Sequence, residues 1–340
     1  MRIGASRKCW VMIQLDGLRP VPSVSVIVFF YNEAGNLPLL EQRVTAVMRE
    51  HHLHAEIVLV NDSSTDDSDQ YAKNWLSRVP YGVSVRFSRN FGSHAAVAAG
   101  LQNCSADCAV IMAADLQDPP ELIPELITKF REGFDVVWAC RSERLGETWS
   151  TKAAAAFYYR LMRWLGLPNM PPKGADFLLV SRKVIDAVNA NPEKHTSVLA
   201  MILWMGFRQT FIQYVKQPRH SGHSKWTITK KFKLLIDSVV SFSYTPIRLA
   251  SYLGLMISFV AFAASLEVIY NKIAGNPIEG YSSMMLVVLW IGGAQMLVLG
   301  MLGEYLWRAF DESRGRPRYV IDSIVRSERN TAAAVGDKAE

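Results

Sequence analysis

A chain of 340 residues, half of them hydrophobic and one fifth charged, has room for one large domain or two ordinary ones. Lys and Arg outnumber Asp and Glu by 37 to 31, but no basic stripe interleaved with aromatic residues runs along the chain, which argues against nucleic acid as a partner. The four cysteines, Cys9, Cys104, Cys108 and Cys140, form no paired C-x-x-C motifs, so buried thiols in a reducing compartment are expected rather than a zinc site.

Residues 1–22 carry basic side chains and no apolar run long enough for a signal peptide, so they read as an N-terminal extension. From Val24, "VSVIVFFYNE" is a β-branched and aromatic run that breaks at Asn32 and Glu33, a strand followed by a turn. A helix around Leu37 to Arg49 leads to "EIVLVNDSSTDDS", a second apolar run that ends in acids. A helix around Asp67 to Leu76, the strand "VSVRFSRN", a helix around His94 to Gln102 and the strand "AVIMAADLQD" continue the alternation. This β-α-β-α series predicts an α/β domain on a mostly parallel sheet with flanking helices, over residues 23–226.

Ligands of such sheets bind outside the carboxyl ends of the strands, where loops and helix N-termini converge. Those ends carry Tyr31-Asn32-Glu33, Asn61-Asp62, Arg89-Asn90 and Asp115. Each acid alone is weak evidence, and it is the recurrence that points to a site. The turns hold neither G-x-G-x-x-G nor G-x-x-x-x-G-K-[ST], which disfavours dinucleotide oxidoreductases and P-loop phosphotransferases.

"KAAAAFYYRLMRWLG" at Lys152 to Gly166 reads as a helix, and "KGADFLLVSRKVIDAV" as a strand entering another. A Gly/Ser/His/Lys loop ending at Trp226 then meets residues 227–248, an amphipathic stretch expected to lie in a membrane interface. His220 and His223 lack further metal-ligand partners and belong to that loop. Two nearly uncharged runs follow, Leu249 to Ile269 and Met284 to Trp307, each long enough to cross a bilayer. The expectation is a two-helix transmembrane hairpin over 249–307 and a tail over 308–340. Lys230, Lys231 and Lys233 precede the first run and Arg308, Arg314, Arg316 and Arg318 follow the second, whereas the connection holds only Lys272. Positive-inside bias therefore places both ends, and the α/β domain, in the cytoplasm at the inner membrane. Glu267 and Glu304 near the ends of the runs read as snorkelling or paired groups. The small residues of "GGAQMLVLG" would suit a homo-oligomer.

The chain resembles the polyisoprenyl-phosphate glycosyltransferases, family-two enzymes of GT-A fold that include bactoprenol glucosyltransferases and dolichyl-phosphate mannose synthases. The carriers, spread over roughly Ser23 to Val325, are "YNE", "VNDSSTDDS", "SRNFGSHAA", "DLQDPPE", "GADFLLVSR", "SGHSKW", "SFSYTPIR" and "GEYLWR", in that order. The resemblance implies inverting transfer of a hexose, UDP-glucose-like donors favoured, from a nucleotide diphosphate sugar to a polyprenyl phosphate of undecaprenyl type. It places Tyr31, Glu33, Asp62, Arg89 and Gly92 at the donor. Asp115 matches the last acid of a D-x-D metal motif, and Gln117 a glutamine that faces the same Mg²⁺ or Mn²⁺. Asp176 matches an acid on the acceptor side that steers the reacting groups. A lipid phosphate is already an anion, so no strong general base is needed, and cationic positioning falls to Arg141, Arg219 and Lys225, with Ser224 beside them and Arg160 a weaker candidate.

Three positions depart from the family pattern. Phe29 stands where a proline commonly precedes Tyr-Asn-Glu, Leu178 where an arginine follows Asp-Phe, and Ala113 at the first acid of D-x-D. Either Asp115, Gln117 and the diphosphate hold the metal between them, or the site has lost catalysis. The alternatives carried forward are a processive polysaccharide synthase, which lacks support because Q-x-x-R-W is absent, and a non-catalytic membrane protein that binds nucleotide sugar or lipid.

Overall fold

The computed structural model describes residues 23–141, 160, 163, 177–191, 193, 197–215, 245–274 and 280–327. Eight strands make one sheet: β1 (Val24–Phe30), β2 (Ala55–Asn61), β3 (Gly82–Phe87), β4 (Cys108–Ala113), β5 (Val136–Arg141), β6 (Phe177–Ser181), β7 (Gln209–Tyr214) and β8 (Ile321–Arg326). Their spatial order is β7-β5-β6-β4-β1-β2-β3-β8. Pairing is parallel except where β6 runs against β4 and β5 and where β8 runs against β3. The predicted mostly parallel α/β domain is present.

Side chains of β1 to β6 are mostly buried on both faces, as a sheet covered by helices on each side requires, whereas the edge strands β7 and β8 are more exposed. On one face Ile27, Val58, Val60, Val85 and Ile111 pack against α3 (Ser93–Asn103), α5 (Arg182–Ala190) and α6 (Val198–Trp204). On the other, Val26, Val28, Leu59 and Val110 meet α1 (Leu37–Glu50), α2 (Ser68–Arg78) and α4 (Ile123–Arg131). Helix α1 shows why its sequence folds this way: Pro38 fixes its first turn, and Leu37, Leu40, Val44 and Val47 recur on one helical face and are all buried. Gly100 of α3 faces Ile27 so closely that any side chain would collide with it, which lets helix and sheet approach.

The register lines up the strand ends. Phe30 pairs with Asn61 and Phe29 with Ala113, so the residues that leave β1, β2 and β4 emerge side by side at the carboxyl edge. Arg141 ends β5 at the same edge, beside Tyr214 of β7.

Two long helices follow, α7 (Thr245–Ile273) and α8 (Tyr281–Ser313), packed against each other. Among the described residues no helix is long and apolar enough to cross a membrane; several side chains along both helices lie outside that set. Their bounds differ from the expected hairpin, since α8 runs six residues past Trp307. The segment expected as a tail is corrected more deeply: its residues Ile321–Arg326 are the eighth strand of the sheet, because the β-branched run "YVIDSIV" finds the open edge of β3. Of the predicted helix at Lys152 to Gly166 only Arg160 and Arg163 are described, both helical and exposed. Cys104, Cys108 and Cys140 are buried free thiols, as expected; burial pushes Cys104 up to about 11.

Candidate active site

The loops after β1 and β2 are stitched together. Asn32 adopts a left-handed backbone, φ 54°, which asparagine tolerates better than most residues. Its N–H donates to Ser64 Oγ at 2.9 Å, and its side-chain oxygen accepts from the Thr65 N–H at 2.8 Å. One residue on, the Glu33 N–H donates to Ser68 Oγ at 2.9 Å, while Asn36 Nδ2 donates to the Glu33 carboxylate at 2.6 Å. Asp66 accepts from the backbone N–H groups of Ala34 and Ser68. Burial raises the Asp66 carboxyl, but these hydrogen bonds outweigh it and hold it below the ordinary value. Tyr31 lies half-buried at the start of this stitched turn.

Asp62, 4 % exposed, reaches across to the loop after β3. Its two oxygens accept from Phe91 N–H at 2.7 Å and Gly92 N–H at 2.9 Å. Gly92 caps α3 at φ 92°, a conformation that excludes most side chains although open space surrounds it. The Asp62 carboxylate thus sits at a helix N-terminus, where a negative charge is favoured. Arg89 is exposed, with its guanidinium 4.7 Å from the centre of the Phe91 ring.

Beyond β4, Ala113 and Asp115 are half-buried while Ala114 and Leu116 are buried. Leu116 turns the chain at φ 61°, and the Gln117 N–H donates to Asp115 Oδ1 at 3.2 Å. Asp118 then points inward. It is 1 % exposed and accepts a short hydrogen bond from the Tyr214 hydroxyl. Burial first, and the Asp118 carboxylate second, push the Tyr214 phenol far above the ordinary tyrosine range, with Arg141 acting against them. Arg141 pairs in register with Tyr214, and the ends of β4, β5 and β7 converge on one cluster.

The structure thus gathers Tyr31, Glu33, Asp62, Arg89, Gly92, Asp115, Gln117 and Arg141 at one edge of the sheet. Asp176, Arg219, Ser224 and Lys225 lie outside the described residues, although β6 starts at Phe177, opposite Ala139 of β5 at the same edge. Two residues that sequence reasoning did not assign are Asp118 and Tyr214. Asp118 was visible inside "DLQDPPE", whereas Tyr214 is 96 positions away and carried no local signal.

A divalent cation fits this donor set in a limited way. Among the described residues no group of three His, Cys, Asp or Glu side chains converges as a metal cage. Asp115 and the Gln117 side chain supply oxygen donors only, which suits Mg²⁺ or Mn²⁺ shared with a diphosphate, since Mg²⁺ is commonly held by one or two carboxylates plus substrate phosphates.

The pattern of "Glycosyl transferase family 2" matches residues 25–189. Glycosyltransferase YkcC of Bacillus subtilis is 38 % identical over 298 residues, covering 87 % of this chain and 92 % of that one. The chain belongs to glycosyl transferase family 2. The bactoprenol glucosyl transferase of Shigella phage SfX is 33 % identical over 301 residues, 88 % of this chain and 99 % of that one. Among solved structures, glucosyl-3-phosphoglycerate synthase from Mycobacterium tuberculosis, with Mn²⁺, UDP and phosphoglyceric acid, aligns at 16 % identity and a TM-score of 0.48, covering 64 % of this chain and 76 % of that one. A glycosyltransferase of this family draws on a nucleotide sugar, and the non-enzymatic alternative falls away.

Proposed function

We propose that this glycosyltransferase moves a hexose, glucose favoured, from a nucleotide diphosphate sugar to a polyprenyl phosphate at the cytoplasmic face of a membrane that α7 and α8 span. The single observation that carries the reading is the apolar surface of those helices. Tyr252, Leu255, Phe259, Tyr270, Met284 and Trp290 are all more than 60 % exposed, Trp290 reaching 78 %. A soluble chain rarely leaves so continuous an apolar surface facing water. At 1.5 Å per residue the helices measure roughly 43 and 50 Å, more than a hydrocarbon core of about 30 Å requires. The likeness to a bactoprenol glucosyl transferase over most of both chains supports the same acceptor.

The chemistry follows from the acceptor's charge. A phosphate oxygen of the lipid attacks the anomeric carbon, the bond from that carbon to the diphosphate breaks, and the electron pair leaves with the nucleoside diphosphate. No proton has to be removed, so the site needs orientation rather than a strong base. Arg141, at the end of β5 beside Tyr214, would hold the acceptor phosphate, with Arg219, Ser224 and Lys225 beside it and Asp176 steering the approach. Tyr31, Glu33, Arg89 and the Asp62-held loop take the donor. Asp115 and Gln117 would hold a divalent cation, which when bound offsets charge on the departing diphosphate.

The test is a donor screen with purified full-length protein, polyprenyl phosphate and labelled nucleotide sugars. Label should pass into the organic phase only when the lipid phosphate is present, and Arg141→Ala should raise the KM for lipid phosphate more than the KM for donor. Nucleotide release at one rate with and without the lipid would overturn the acceptor assignment.

A further inference from the structure

The C-terminal strand does more than close the sheet. Strand β8 pairs along β3 from Val83↔Arg326 to Phe87↔Ile321, and where β3 ends the Ser88 N–H still donates to the Val320 carbonyl at 3.0 Å. At the other end the Ser327 hydroxyl donates to the Pro80 carbonyl at 3.0 Å and accepts the Gly82 N–H at 3.0 Å. Bonded at both ends, the segment acts as a strap over β3.

The residue just before it, Tyr319, reaches toward the donor side of the site. The Tyr319 ring stacks on Phe87, with centroids 4.9 Å apart and planes inclined by 21°. Phe87 in turn meets Phe91 edge to face at 5.7 Å and 87°. Phe91 carries the Arg89 guanidinium on its ring and gives its N–H to Asp62. The Tyr319 hydroxyl donates to Gln102 near the far end of α3, the helix that Gly92 begins. One tyrosine thus grips both the strand that enters the loop Ser88–Gly92 and the helix that leaves it. Only Arg314 to Arg318 separate it from the end of α8.

We propose that Tyr319 is a positioning residue for donor binding: through the Phe87–Phe91 ring contacts it holds the loop bearing Arg89 and Gly92 in its nucleotide-sugar-binding shape. A loop ordered beforehand loses less entropy when the ligand arrives, so the contribution appears in affinity rather than in the chemical step. The inference rests on the nucleotide-sugar reading of the site and is independent of the acceptor.

The experiment uses full-length protein carrying Tyr319→Ala or Tyr319→Phe. The dissociation constant for a nucleoside diphosphate sugar that the wild type turns over is measured by calorimetry without acceptor, beside full steady-state kinetics and a thermal melt. Tyr319→Ala should raise the donor Kd and donor KM about two- to tenfold, the range that the loss of one aromatic pair converts to. Its kcat and acceptor KM should stay within about twofold, and Tyr319→Phe, which keeps the ring, should recover most of the affinity. An unchanged donor Kd in Tyr319→Ala would overturn the proposal, whether or not the melting temperature falls. Because donor binding is read without lipid, failure of the polyprenyl-phosphate assignment would leave this result standing, and the reverse.

Discussion

Replacing Tyr214 by Phe removes one buried hydroxyl at the heart of the site. Tyr214 is 6 % exposed and its ring meets Phe177 edge to face at 6.3 Å, contacts that Phe retains, so no cavity opens. What disappears is the hydroxyl donated to Asp118, a carboxylate only 1 % exposed that cannot recruit bulk water in exchange. Hydrogen bonds to charged groups contribute about 1.5–3 kcal/mol, and that is the expected loss of stability. Urea unfolding of the purified protein, followed by the fluorescence of the buried Trp75 and Trp138, measures it. A cycle with Asp118→Asn should show a coupling of about 1–3 kcal/mol, as directly bonded neighbours do. A loss below about 0.5 kcal/mol, the scale of inert surface changes, would refute the reasoning, because Asp118 would then be satisfied without the phenol.

Asp115→Asn should lower transfer by roughly a hundredfold or more while the fold persists, since effects of 10- to 100-fold already follow from losing outer-shell partners of a metal; activity that survives both this change and a chelator would reassign neutralisation of the diphosphate to Arg or Lys. Gly82→Ala should cost about 1–3 kcal/mol by overpacking, because its added methyl would lie 2.8 Å from both the Ile57 carbonyl oxygen and Leu76 Cδ1; an unchanged melting temperature would contradict that close approach. In acid the protein should lose stability below about pH 4. Burial raises Glu41, Asp66, Asp69 and Glu121, but partners such as Arg78, Ser68, Lys73 and Arg43 hold all four below their ordinary values. Groups so depressed stabilise the fold fully above their unfolded values, and the contribution goes as pH falls through the folded ones, so a melting temperature flat from pH 6 to about 3 would disagree.

Local pattern carried the β-α alternation because each strand and helix shows its own period: "VSVIVFF" is a buried strand, and Leu37, Leu40, Val44 and Val47 are a helical stripe. The carboxyl-edge acids were legible for the same reason, since a strand's end is visible in its own sequence. What stayed hidden depends on pairing across long separations. The β-branched run around Ile321 favours a strand, but nothing near it announces that its partner will be Phe87, because that choice is set by an open edge far away in the chain. That matters for truncation: removing the chain after Ser243, which from sequence alone leaves an intact domain, would strip β8 from β3 and uncover the fully buried Phe87. Tyr214 was hidden likewise, as its partner Asp118 sits in a different sheet neighbourhood of the sequence.

The acids at the strand ends divide by what their oxygens already do. Asp62 spends both on backbone N–H groups of the next loop, Asp66 joins the loops after β1 and β2, and Asp69 binds Lys73, Arg86 and Asn61. Asp118 faces inward to Tyr214. These carboxylates are neutralised by N–H, cationic or hydroxyl donors of the protein itself, so they brace the loops without presenting a full negative charge to an incoming diphosphate. Asp115 is half-buried at the mouth, and its oxygen accepts the N–H of the residue two positions on, within its own turn. Among the described residues a cation placed there would meet the Asp115 carboxylate and the donor's phosphates, so its affinity should be weak alone and strong with the donor present. Ala113 deepens this dependence, because the carboxylate that would let the protein hold metal unaided is missing. Metal and nucleotide sugar are therefore expected to bind together, each raising the affinity for the other by the same factor, and Ala113→Asp should weaken that coupling by tightening the metal in the absence of donor. Calorimetric titration of Mn²⁺ with and without nucleoside diphosphate measures both, and equal Mn²⁺ affinity in the two titrations of the unmodified chain would refute the shared-ligand reading.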